Sequence, residues 1–223
     1  DAKHRREIIK GLFLLTPFIS STFASFNNTF KELLNGDIGM LLIDEAGQAN
    51  LTNALGALLR SKMAVVVGDP LQLEPVVTLP VSLNNAILSY CEAKEEFNLL
   101  RSSVQLRADK AQNIGTYIKG SGESIWVGSP LIVHRRCANP MFEISNETTY
   151  DDMMILGRDG ASKFANTNVQ TKWIDVRSEE WIGNYNKAEG EVVKELLAGE
   201  LADEKNNIRI ITPFKDVCRN LKG

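Results

Sequence analysis

The sequence predicts an α/β protein in which parallel strands are joined by helices that pack against the sheet. Short apolar runs alternate along the 223 residues with longer segments whose apolar positions recur at helical spacing. Several of the apolar runs end at Gly, Asp or Pro, which is typical of strands that leave a sheet. A chain of this length can form one large domain or two small ones.

The first half of the chain contains two predicted strands, each followed by a helix. Residues 40–43 predict a buried strand that ends at Asp44, and the next helix is expected to begin after Asn50, a favoured N-cap residue. Residues 63–67 predict a second buried strand, and residues 84–93 predict another helix. This order is that of a parallel sheet with crossover helices.

The second half repeats this alternation after a polar stretch. Polar residues dominate between residues 100 and 123, and residues 119–122 have the composition of a linker. The further strands and helices are predicted at residues 131–133, 173–176, 188–202, 208–211 and 215–223. We therefore predict two α/β domains, residues 1–120 and residues 121–223.

Composition narrows the classes of function. The formal net charge is -3, so a nucleic acid would need a local basic patch rather than a basic protein. The three cysteines are scattered without a CxxC pair, which is typical of reduced thiols in a cytosolic protein and predicts a cytoplasmic location. Two histidines exclude a histidine-rich metal centre, and no apolar run approaches the roughly 20 residues that span a bilayer.

Polar side chains follow both strands of the first half. Asp44 and Glu45 lie where the first strand is expected to end, at the sheet edge where ligands bind in α/β proteins. An Asp there can hold Mg²⁺, and a neighbouring Glu can accept a proton from an attacking water. Gln72, after the second strand, can form a hydrogen bond with a terminal phosphate. Alone, either segment is more typical of an ordinary turn.

Together the segments are more specific. The sequences Asp-Glu-Ala-Gly-Gln-Ala at residues 44–49 and Gly-Asp-Pro-Leu-Gln-Leu-Glu-Pro-Val at residues 68–76 resemble motifs II and III of superfamily 1 helicases. The similarity is greatest to the branch that contains the nonsense-mediated-decay helicase. Three other segments resemble motifs of the family and follow its order, at residues 21–26, 133–140 and 210–215. The resemblance implies two incomplete RecA-like domains with parallel sheets and flanking helices.

The resemblance implies a role for each matching residue around ATP. Asp44 would hold Mg²⁺, through water, and Glu45 would be the catalytic base. Gln48 and Gln72 would contact the nucleotide, with Gln72 sensing the γ-phosphate. Arg136 would be the arginine finger that stabilises charge on the transferred phosphoryl group.

Other residues would bind a single strand of nucleic acid, with DNA preferred to RNA. Thr22, Ser25 and Thr212 would donate hydrogen bonds to its phosphates, although Ser and Thr commonly cap local backbone instead. For the arginine finger near ATP, Arg135 is the alternative to Arg136.

The chain departs from the family in one respect. It contains no Gly-Lys dipeptide, and therefore lacks the Gly-Lys-Ser/Thr loop that cradles phosphates in P-loop NTPases. We expect this loop before Asp1 and the later helicase motifs after Gly223. The prediction is thus a fragment of an ATP-dependent helicase that is inactive by itself.

Two other interpretations remain open. The chain could be a non-catalytic nucleic-acid-binding or scaffolding module derived from a helicase. It could also be a Mg²⁺-dependent phosphohydrolase or nuclease that adds Asp69 and Asp175 to the acidic edge.

Overall fold

The computed structural model describes residues 1–119, 124–157, 172–199 and 208–222. The chain divides into two compact units, Asp1–Lys163 and Phe164–Gly223. The helices of the first unit are α1 (Ala2–Leu15), α2 (Phe23–Thr29), α3 (Leu51–Arg60), α4 (Val81–Tyr90), α5 (Val104–Ala111) and α6 (Met141–Thr149). Its strands are β1 (Ile38–Ile43), β2 (Ser61–Val66), β3 (Gly115–Lys119), β4 (Ser124–Gly128), β5 (Val133–His134) and β6 (Ile155–Leu156).

The predicted α/β class is confirmed at the level of mixed helices and small parallel and antiparallel sheets. RecA-like domains remain a prediction. None of the described helices is both long enough and apolar enough to cross a membrane.

Strands β1 and β2 form a parallel pair, as the sequence predicts, with Met40 opposite Met63. The helix between them, α3, begins at the predicted cap, because the Asn50 side chain accepts a hydrogen bond from the Thr52 amide. Helices α2 and α3 pack beside this pair. Residues of these helices, of β1, of the neighbouring loops and of α5 form two adjoining buried clusters, Phe26, Phe30, Leu33 and Ala57 in one and Ile43, Ala46, Ala49, Ala54 and Val104 in the other.

Strand β1 is buried on one face only and no residue of β2 is fully buried, which corrects the prediction of fully buried strands. Ile43 is 3% exposed, whereas Met40, Leu42 and Met63 are each 52% exposed. Successive residues of a strand point to opposite faces, so a helical layer on one side buries alternate positions. Apolar composition alone does not distinguish a strand covered on one face from one covered on both.

Helix α4 begins at Val81, three residues earlier than predicted, because Pro80 occupies its N-cap. Strands β3 and β4 are antiparallel, with Lys119 opposite Ser124. The predicted domain boundary near residue 120 falls between these paired strands, and it stays a prediction.

Strand β5, helix α6 and strand β6 form a second, shorter β–α–β unit. His134 lies opposite Leu156 in a parallel pair of two residues each. The buried Asn146 side chain stabilises the return from α6. It donates to the Met154 carbonyl at 3.2 Å and accepts from the Met154 amide at 2.9 Å. The end of α6 is therefore fixed to the strand that follows it.

The described residues of the second compact unit, Phe164–Gly223, form an antiparallel pair and two helices, β7 (Trp181–Ile182), β8 (Tyr185–Asn186), α7 (Lys187–Ala198) and α8 (Lys215–Lys222). The strands predicted at 173–176 and 208–211 are wrong, since the structure assigns none to these described residues. A strand exists only where a partner supplies hydrogen bonds, and an apolar run does not guarantee one. The predicted ends of two helices, residues 200–202 and Gly223, lie outside the described residues.

Candidate functional site

Two loops meet at the carboxyl ends of the parallel strands β1 and β2. The loop after β1 holds residues 44–49, and the loop after β2 holds residues 67–72. The Val67 amide donates to the Ile43 carbonyl at 2.8 Å, and the Ala46 amide donates to the Val67 carbonyl at 3.0 Å. These bonds extend the sheet ladder by one step beyond the strands. The two segments singled out by sequence therefore lie side by side.

Two glycines allow the loops to approach at backbone distance. A Cβ atom on Gly47 would lie 2.4 Å from the carbonyl oxygen of Asp69. A Cβ atom on Gly68 would lie 2.7 Å from the amide nitrogens of both Ala46 and Gly47. Real Cβ atoms do not come so close to backbone, so any larger residue would push the loops apart.

The acidic pair lies in the first loop and is exposed to solvent. Glu45 adopts the left-handed conformation, with φ 53° and ψ 39°, and begins a 3₁₀ turn of residues 46–48. Such a conformation is uncommon for a residue other than glycine and is concentrated at functional sites. The Asp44 Oδ1 atom accepts from the Glu45 backbone amide at 3.0 Å, and the Gln48 side chain donates from Nε2 to Glu45 Oε2 at 3.4 Å. The three predicted residues are thus neighbours in one turn.

The second loop is organised by Asp69, a carboxylate to which the sequence gave a role only in the phosphohydrolase or nuclease interpretation. Asp69 Oδ1 accepts from the Leu71 amide at 2.9 Å. Asp69 Oδ2 accepts from Gln72 Nε2 at 2.8 Å and from the Tyr150 hydroxyl at 2.5 Å. Gln72 Nε2 is also 3.5 Å from the Tyr150 hydroxyl oxygen. The predicted nucleotide sensor is therefore already held by hydrogen bonds.

Tyr150 is the residue of this site that sequence reasoning missed. Burial raises the pKa of its hydroxyl, and the hydrogen bond to Asp69 raises that pKa further. The group therefore remains protonated, and able to donate, across the physiological range. No local pattern could have identified it, because it lies 81 positions from Asp69 along the chain.

The two arginines occupy the loop between β5 and α6, and both are exposed. This loop is closed by His134, whose Nε2 atom accepts from the Cys137 amide at 2.8 Å. The His134 ring also packs against Phe142, with 5.5 Å between ring centroids. These contacts give the histidine a packing and hydrogen-bonding role, and they fix the two ends of the segment that carries Arg135 and Arg136.

The three hydroxyl residues predicted to bind nucleic acid all make local backbone contacts. Thr22 is the N-cap of α2, where its side chain accepts from the Ser25 amide, and the two hydroxyls lie 3.0 Å apart. The Thr212 hydroxyl accepts from the Phe214 amide at 3.2 Å, just before α8. Local hydrogen bonding, which for Ser25 is donation from its hydroxyl to the Thr22 carbonyl at 3.2 Å, is thus their visible role, and contact with nucleic acid remains a prediction.

The carboxylates of this edge fit a magnesium ion that is shared with a phosphate. Asp44 offers the hard oxygen ligands that Mg²⁺ prefers, and its side chain is exposed. Among the described residues, no group of three or more His, Cys, Asp or Glu side chains could hold a metal ion. Mg²⁺ in nucleotide sites usually takes one or two carboxylates and completes its shell with phosphates and water.

Comparison with known families finds one match to this part of the chain. A family model described as an AAA domain matches residues 2–79, which include β1, β2 and both loops. The match indicates a helicase-like P-loop NTPase domain, a class that uses nucleotide and Mg²⁺. No curated protein and no solved structure matches the chain.

Proposed function

We propose that this chain, which carries part of a helicase-like P-loop NTPase domain, belongs to an ATP-dependent superfamily 1 helicase. The parent protein hydrolyses ATP to translocate on single-stranded nucleic acid and unwind it, with DNA preferred to RNA. The main support is the packing of the residue 44–49 and residue 67–72 loops at the carboxyl edge of one parallel strand pair. Ligands bind at this edge in parallel α/β sheets.

The acidic loop supplies the groups for hydrolysis. Asp44 would hold Mg²⁺, through water, with its exposed carboxylate, and the ion when bound would supply charge to neutralise phosphate. Glu45 orients the attacking water and takes its proton. The hydrogen bond from Gln48 Nε2 restrains the Glu45 carboxylate, and Gln48 would contact the nucleotide from the same turn.

The remaining polar groups sense the nucleotide and the strand. Gln72 responds to the γ-phosphate, and Arg136, with Arg135 as the alternative, stabilises negative charge on the phosphoryl group during transfer. Three further residues contact the nucleic-acid backbone without reading its sequence, namely Thr22, Ser25 and Thr212. In this proposal two RecA-like domains, residues 1–120 and 121–223, carry these groups.

The deciding experiment measures ATP hydrolysis by the protein expressed from its complete reading frame, with and without single-stranded DNA. We expect DNA-stimulated hydrolysis that falls by about 100-fold or more in Glu45→Gln, because the variant lacks the proton acceptor. Glu147→Gln is the matched control, since Glu147 is exposed on α6 and lies outside the proposed site. The isolated 223-residue chain is expected to hydrolyse ATP negligibly.

The alternative is a non-catalytic nucleic-acid-binding or scaffolding module derived from a helicase. If the complete protein binds single-stranded DNA but hydrolyses no ATP, the helicase proposal is wrong and the binding-module interpretation takes its place. If RNA stimulates ATP hydrolysis more than DNA does, only the proposed preference for DNA is wrong.

A further inference from the structure

The contact between Tyr150 and the Gln72 loop joins two segments that the sequence keeps far apart. Tyr150 is the C-cap residue of α6, in the β5–α6–β6 unit that also carries Arg136. Its hydroxyl donates to Asp69 Oδ2 at 2.5 Å. Asp69 in turn holds both Gln72 and the Leu71 amide. One phenol thereby links the loop after β2 to the unit that carries the arginines.

The hydrogen bonds also determine which way the Gln72 amide faces. Its Nε2 atom lies 2.8 Å from the Asp69 carboxylate, which can only accept. The opposite orientation would place the Gln72 carbonyl oxygen against that carboxylate, where two acceptors repel each other. The Nε2 atom is therefore engaged with Asp69 and Tyr150, and the carbonyl oxygen is the end of the amide left for a substrate.

Hydrogen bonds hold the backbone around Tyr150 in place. The amide of Met153 donates to the Tyr150 carbonyl at 3.0 Å, and the buried Asn146 bonds twice to Met154. Tyr150 is itself partly buried. Its hydroxyl thus approaches Asp69 from a backbone that is fixed on both sides.

We propose that Tyr150 is a positioning residue for Gln72: acting through Asp69, it orients the Gln72 amide and ties that loop to the unit carrying Arg136. The proposal rests on the proposed function, in which Gln72 and Arg136 serve the same phosphoryl group. An oriented carbonyl oxygen can accept a hydrogen bond from the attacking water, whereas contact with the γ-phosphate requires the amide to leave Asp69. Tyr150 therefore sets the position from which the Gln72 amide would move from Asp69 to the γ-phosphate.

The test compares Tyr150→Phe with the native protein, both expressed from the complete reading frame. We expect kcat for DNA-stimulated ATP hydrolysis to fall about tenfold, with KM for ATP changed by less than about twofold, because the phenol acts on orientation and not on binding. Tyr90→Phe is the matched control, since Tyr90 is 91% exposed. It is expected to keep native kcat.

Two further measurements separate positioning from a structural role. The double variant Tyr150→Phe/Gln72→Ala should be no slower than Gln72→Ala alone, because both changes act through one amide. The side-chain amide NMR signals of Gln72 should shift in Tyr150→Phe and not in Tyr90→Phe. If Tyr150→Phe does not fold, the same measurements are made on Asp69→Asn, a variant that removes the carboxylate shared by Tyr150 and Gln72.

The outcomes are distinct. Unchanged kcat and unchanged Gln72 signals in Tyr150→Phe would overturn the positioning role, as would fully additive effects in the double variant. A native protein that hydrolyses no ATP would overturn the proposed function instead, and the Gln72 signals would then decide the positioning role without any assay of activity.

Discussion

At the scale of single residues, the candidate site depends on two positions that have no side chain. Gly47 and Gly68 bring the two loops together at backbone distance, and Glu45 adopts its left-handed conformation directly beside them. The positions of the acidic-loop side chains therefore depend on two glycines that take no part in the proposed chemistry.

Replacement of Gly68 by alanine should separate the loops. Because the added methyl group would lie 2.7 Å from two backbone nitrogens, we expect a loss of about 2–3 kcal/mol in the free energy of unfolding. Urea titration measures this change. Gly11→Ala is the control, since a Cβ at Gly11 meets no atom within 4 Å, and α1 should gain up to about 1 kcal/mol. Equal stability of the two variants would contradict the close approach.

At the scale of secondary structure, a single carboxylate joins α5 to the β3–β4 pair. Asp109 is 2% exposed, and its Oδ1 atom accepts from the Gly128 amide at 3.1 Å and from Gln105 Nε2 at 2.9 Å. Its backbone carbonyl accepts from Trp126 Nε1 at 3.0 Å. Asp109 Oδ2 and Gln105 Oε1 are buried without a hydrogen-bond partner among the described residues. Burial raises the pKa of this carboxyl group.

This arrangement predicts opposite effects for two substitutions. Asp109→Asn keeps the accepting oxygen, removes a buried charge and places a donor near Gln105, so we expect equal or greater stability at pH 7. Asp109→Ala leaves buried donors unpaired and should cost about 2 kcal/mol. Thermal unfolding at pH 7 and pH 4 measures both.

The pH dependence provides the control for this prediction. A raised carboxyl pKa in the folded state destabilises the native protein at neutral pH, and the effect disappears as pH falls below the unfolded value, near 3.9. Any advantage of Asp109→Asn should therefore shrink in acid. If Asp109→Asn is less stable than the native protein at pH 7, the hydrogen bonds around Asp109 compensate for the burial of its negative charge, and the prediction is wrong.

At the scale of the whole molecule, we expect the ion pair of Asp37 with Arg6 to contribute to stability in acid. Asp37 accepts from Arg6 Nε at 2.6 Å, from Arg6 Nη2 at 2.7 Å and from the Leu34 amide at 2.8 Å. The Arg6 hydrogen bond is the main cause that lowers the pKa of Asp37 to about 2, although partial burial opposes it. This pair fastens α1 to the segment that enters β1.

Stability should follow the ionisation of Asp37. A lowered carboxyl pKa stabilises the folded state above the unfolded pKa, near 3.9, and this contribution is lost as pH falls toward about 2. Asp37→Asn is therefore expected to lower Tm by about 4 °C at pH 6, and the difference should close between pH 4 and pH 2. Calorimetry across this range measures it. Asp152→Asn, at an exposed position, should leave Tm unchanged throughout.

The sequence by itself determined those features that local patterns encode. Hydrophobic runs located β1 and β2, and the side chain of Asn50 marked the start of α3. Acidic and amide residues at the strand ends identified the edge that bears Asp44, Glu45 and Gln72. Each of these signals lies within a few residues of the feature it predicts, because strand periodicity and helix capping are local effects.

Only the tertiary structure decided how those pieces combine. It left one face of β1 and β2 exposed, since burial depends on which layers pack against a strand. It gave no strand at residues 173–176, where the apolar run pairs with no other segment of the described chain. It also brought Tyr150 to Asp69 across 81 positions, because a hydrogen bond between distant segments depends on how the chain folds back and leaves no local mark on the sequence.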